Sequence, residues 1–131
     1  MSLNAEKLNA AVRQFLLDRH TEIPADRFAV ANSPDWDPET LPAAAISSTA
    51  SGFDKTADVS VEIEVAHKTS YEASALIQKW VEDIQHGMIN VVDGDSIMLK
   101  VFTVAEAAST FELETNRAFR VLSITGRGVQ G

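Results

Sequence analysis

Glu62 and Glu64 are the residues in this chain most easily imagined doing chemistry, because two carboxylates near each other can share acid and base roles. Their setting argues otherwise. Val59, Val61, Ile63 and Val65 alternate with Ser60, Glu62, Glu64 and Ala66, the period-two pattern of a strand with one face buried. The two glutamates are then the outward face of that strand. The three histidines, His20, His67 and His86, are widely spaced, and no pair has the i, i+4 separation of a helical metal site. Each falls near the end of an expected element. Ser47, Ser48 and Ser51 lie in no Gly-x-Ser-x-Gly elbow, and Gly126-Arg127-Gly128 is too short to cradle a phosphate.

Two acidic clusters, Asp35/Asp37/Glu39 and Asp93/Asp95, read as solvated turns. The second begins like a calcium loop but lacks the further oxygen ligands and the terminal glutamate at fixed offsets. No catalytic residue, metal ligand or cofactor site is therefore nominated. Trp36 is the outlier of its polar loop: it either folds back over the core or serves as an exposed anchor for a partner.

The elements that would position these residues can be read in order. Residues 5–19 form a first helix, with Asn4 as N-cap, Glu6 in the positive first turn and Leu8, Ala11, Val12, Phe15 and Leu16 as its apolar stripe. Arg27–Ala31 reads as a short strand. A polar loop, Asn32–Pro42, leads to a strand at Ala43–Ser51, and Gly52–Lys55 turns the chain into the Val59–Val65 strand, giving an antiparallel hairpin.

Thr69-Ser70-Tyr71-Glu72 then has the form of a capping box. It opens a helix with Ala73, Leu76, Ile77, Trp80, Val81 and Ile84 on one side and Gly87 placed to stop it. Asp93-Gly94-Asp95 is a turn signal, Ile97–Val104 a further strand, Ala105–Asn116 is left unassigned, and a last strand covers roughly 117–125. In the last two strands Phe102 and Val104 fall opposite Leu99 and Val101, and Phe119 and Val121 opposite Leu122 and Ile124. Either a bulge switches faces, or the second face meets another protein chain.

The 131 residues suit one domain, with 1–4 and 126–131 expected as flexible ends. A formal charge of −8 and few, scattered basic residues argue against a nucleic-acid surface. Arg117, Arg120 and Arg127 form at most a modest basic patch. There is no cysteine for a disulfide or thiolate site, no apolar run near ~18 residues, and no basic-then-apolar start of a secretory signal.

The order of these pieces resembles a known family. Leu41-Pro42-Ala43-Ala44-Ala45-Ile46 enters a strand from an acidic loop. The alternating Val59–Val65 strand and a helix carrying Trp80 after Ser70-Tyr71-Glu72 follow, and a late hairpin closes the chain. This is similar to the tail terminators of long-tailed phages and prophages, the lambda minor tail protein U type, over most of residues 5–125.

The resemblance implies an α+β subunit: a mostly antiparallel sheet of four to five strands with two main helices packed on one face. It implies a homo-oligomeric ring, typically a hexamer, that caps the tail tube, stops its growth and offers a surface to head-completion proteins. The setting would be a virion tail assembled in the bacterial cytoplasm, with no enzyme activity, no cofactor, no sequence-specific nucleic-acid binding and no membrane partner. Candidate contact residues are Trp36, Leu41, Glu62, Glu64, Phe102, Phe119 and Arg120. Glu62 and Glu64 would line the lumen or the rim. Acid facing a DNA-conducting lumen would repel DNA within about 8 Å, the Debye length at physiological salt. The competing expectation is a small, dimeric α+β binding or regulatory domain without a phage role.

Overall fold

The computed structural model describes residues 4–30, 40–51, 56–86, 89–93, 95–112 and 116–130. Helix α1 (Ala5–Arg19) begins where Asn4 leaves its extended conformation and its Oδ1 accepts the Lys7 amide at 2.9 Å. Such a cap is worth about 1 kcal/mol. The helix buries Leu8, Val12, Phe15 and Leu16, and it ends at His20, whose backbone is extended while its amide still donates to Leu16 O. A single 3-10 turn, Ala25–Arg27, leads into β1 (Phe28–Val30). Arg13 ties this turn to α1: its Nε donates to Phe28 O at 2.8 Å and its Nη2 to Ala25 O at 2.7 Å.

β2 (Ala43–Ser51) and β3 (Thr56–His67) form the expected antiparallel hairpin, with Ser51 opposite Asp58 and Ala43 opposite Ala66. Val59, Val61, Ile63 and Val65 are buried as their alternation requires. Helix α2 (Ser70–His86) follows after a two-residue link. Half of the capping box forms: Thr69 Oγ1 accepts the Glu72 amide at 3.1 Å. The Glu72 carboxylate, however, lies 3.1 Å from His67 Nδ1, which also sits 2.9 Å from the Lys68 amide. That nitrogen can accept from Lys68 or donate to Glu72, not both at once.

α2 buries Ala73, Leu76, Ile77, Trp80 and Ile84. Trp80 stacks on Phe28 at 5.7 Å between ring centroids, so the second helix is keyed to the sheet's first strand. Its indole Nε1 is buried without a hydrogen-bond partner among the described residues, at a cost of about 1–3 kcal/mol that the ring's burial must outweigh.

The remaining strands are β4 (Ile89–Asp93), β5 (Asp95–Glu112) and β6 (Arg117–Gln130). They complete a six-stranded sheet in the order β1-β2-β3-β6-β5-β4, antiparallel except for the β1–β2 pair. The fold is α+β with both helices over one face and a single apolar core between. The sheet has one strand more than the sequence indicates. Asp93 stands opposite Asp95 where β4 and β5 pair, so the short β4 precedes the turn signal. The unassigned stretch after Val104 continues β5 as far as Glu112.

The C-terminal segment corrects the sequence reading. Residues 126–130 are not a flexible end but the last third of β6, held between β3 and β5. Glycine here reflects close approach rather than looseness. A Cβ on Gly126 would stand 2.2 Å from the Lys100 carbonyl oxygen, so only glycine fits. α1 packs against both β2 and β4, which three other strands separate, so the sheet curls around the helices and its other face is convex.

Candidate functional site

The convex face is the surface the fold leaves uncovered by helices, and register defines its composition. Along β3 it presents Asp58, Ser60, Glu62 and Glu64. Across β2 these meet Ser51, Thr49, Ser47 and Ala45, and across β6 Arg127, Thr125, Ser123 and Val121. On β5, Lys100 stands beside Arg127 and Thr103 beside Thr125, whose hydroxyls bond to each other. The middle of the face is thus a field of hydroxyls. A depression of ≈ 340 Å³ opens there, lined by Ser47, Ser48, Thr49, Ser60 and Glu62.

A bulge settles the mixed pattern of β5. The register shifts between Val101 and Thr103, which puts Phe102 and Thr103 consecutively on the convex face and returns Val104 to the core side. Phe102 is left 60% exposed, with the Arg127 guanidinium 5.9 Å from its ring centroid and Arg127 Nε 3.2 Å from Asp58 Oδ1. β6 has no such shift against β3. Leu122 and Ile124 fill the core, while Phe119 and Val121 lie half-buried on the convex face.

The structure therefore brings Glu62, Glu64, Phe102 and Phe119 together on one face. Arg120 is turned the other way, toward the helices, where it pairs with Glu106. Ser74 Oγ of α2 donates to the same carboxylate at 3.0 Å, so this ion pair joins β5, β6 and α2. The three C-terminal arginines accordingly form no common patch, since Arg127 faces outward and Arg117 lies over the Phe119 ring. Leu41 is half-buried, and its carbonyl accepts from Arg27 Nη1 at 3.2 Å. Trp36 lies outside the described residues.

Two features escaped the sequence reading. Lys100 shares the face of Phe102, a placement that the even spacing Met98, Lys100, Phe102 could have revealed. The second is a groove of ≈ 550 Å³ between α1 and the edge strand β1, lined by Glu6, Asn9, Ala10, Arg13, Phe28 and Val30. Asn9 is the buried polar residue of α1, and its Oδ1 accepts the Ser48 hydroxyl. No local pattern announces it, because its partner is 39 residues away.

His20 closes the gap between the helices, its Nε2 2.6 Å from Asp83 Oδ2 and its Nδ1 3.8 Å from Glu22, which also meets Lys79 at 3.4 Å. Among the described residues no group of three or more His, Asp or Glu side chains is placed to hold a metal ion. No described helix is long and apolar enough to cross a membrane. Compared with known proteins, the chain matches no protein-family model and no curated protein.

Proposed function

We propose that this chain is a structural phage or prophage tail protein of the tail terminator kind. Its copies form a ring that caps the tail tube, stops tube polymerisation and joins the tail to head-completion proteins. The observation that carries this reading is the two-sided sheet. One face is closed by both helices, while the other keeps an aromatic residue exposed and two more apolar residues half-buried, as a subunit contact would require. An element order that resembles that of the terminator family supplies the rest. Partners in this reading are further copies of the chain, the tail tube protein and a head-completion protein, and no reaction is catalysed.

The groove between α1 and β1 favours a second reading, a small binding or regulatory domain. Native mass spectrometry separates the two. A closed ring, six copies in the simplest case, supports the terminator; a chain that stays monomeric or dimeric at every concentration contradicts it and leaves the binding domain. Tail tubes assembled with and without the protein test the capping step, which predicts that its addition halts tube growth.

A further inference from the structure

We infer that the convex sheet face is a self-docking surface with two unlike halves, a knob at Phe102 and Lys100 and a socket at Glu62, through which one copy enters the next. The inference rests on the association of copies proposed above and names the surface that performs it.

The charges of this face point to a second copy as the occupant. Asp58 and Arg127 pair with each other, and Glu64 and Arg117 are each engaged within the molecule. Lys100 and Glu62 differ: both are exposed, and neither has an ionic partner among the described residues. They cannot satisfy one another. Lys100 is in register with Asp58 through Arg127, and Glu62 is four residues further along β3. At standard sheet spacings that separates them by roughly 13 Å along the strands and about 10 Å across them. An opposite pair too far apart within one molecule is complementary between two.

Shape agrees with charge. The bulge after Val101 lifts the Phe102 ring out of the sheet beside Lys100, with Met98, 39% exposed, on the same strand face. The socket is the depression whose rim carries Glu62. Seating Phe102 of one copy there brings its Lys100 to the neighbour's Glu62 and covers an aromatic surface that water otherwise meets. Because the face is convex, knob and socket point in diverging directions. Each copy can then enter one neighbour and receive another, the head-to-tail contact that closes rings. This places Glu62 at a subunit contact and removes it from a DNA-facing lumen.

The test is a charge exchange read by sedimentation. Lys100→Glu and Glu62→Lys each set like charges against one another at every contact, and each alone should weaken association by roughly tenfold or more. Mixed one to one, the two variants can alternate around an assembly. Every contact between unlike variants then joins an acidic side chain to a basic one, so the mixture should recover wild-type assembly. The doubly exchanged chain should recover it as well. Both sites are exposed, so each single variant should still unfold in one cooperative transition, which shows that folding is not what is read. Association of the single variants equal to wild type overturns the inference, and so does a mixture that stays dissociated. A mixture that recovers only a dimer keeps the docking contact and removes the ring.

Discussion

On the helix side of β3, Val59, Val61, Ile63 and Val65 are buried. On the other side of the same strand, Ser60, Glu62 and Glu64 look out beside Ser47, Thr49, Ser123 and Thr125. The first set is bound to its place by apolar area removed from water, about 25 cal/mol for each Å². The second contributes little to folding, because hydroxyls and charges at a wet surface trade one set of hydrogen bonds for another. A protein that needed only to fold could fill the outer face with almost any polar residues. Here it carries an exposed aromatic on a bulge and two separated charges of opposite sign that have no ionic partner among the described residues. If copies associate through the outer face as proposed, stability and function are written on opposite sides of one sheet.

Substitutions on the two faces should therefore separate cleanly. The largest loss belongs to Trp80→Ala, which empties the space between α2 and Phe28 and should cost about 3–5 kcal/mol in denaturant unfolding. Gly126→Ala forces a methyl group against the Lys100 carbonyl and should cost about 1–3 kcal/mol, seen as a lower melting temperature. Asn4→Ala removes the α1 cap and should cost about 1 kcal/mol by the same measurement. At the small end, Phe102→Ala should change the stability of the separate subunit by no more than about 0.5 kcal/mol, since its ring is already largely in water there. An outer-face substitution that unfolds the chain, or a core substitution that leaves its stability intact, would erase the distinction.

Legibility in the sequence follows the same division. α1 spans Ala5–Arg19 under Asn4 as its pattern requires, and β3 and α2 follow from alternation and a threonine cap, because local periodicity and burial agree there. The Glu72 half of the capping box failed because a histidine just upstream in the chain, His67, offered the carboxylate another partner. The glycines of β6 looked like a loose end, since nothing local reveals that β5 passes close over Gly126. The outer face was legible in part. Alternation exposed Glu62 and Glu64, and broken alternation flagged Phe102 and Phe119. Arg120 was misplaced because its partner Glu106 lay in a stretch with no assigned structure. Even spacing could have set Lys100 on the face of Phe102, but its separation from Glu62 emerges only from the register of β3, β6 and β5.

Sedimentation of wild type and Phe102→Ala side by side, with their melting curves, tests most directly whether the convex face joins copies of this chain. The expected result is a wild type heavier than a monomer and a variant reduced to a monomer that still unfolds in one cooperative transition. Two chains that sediment alike would contradict it.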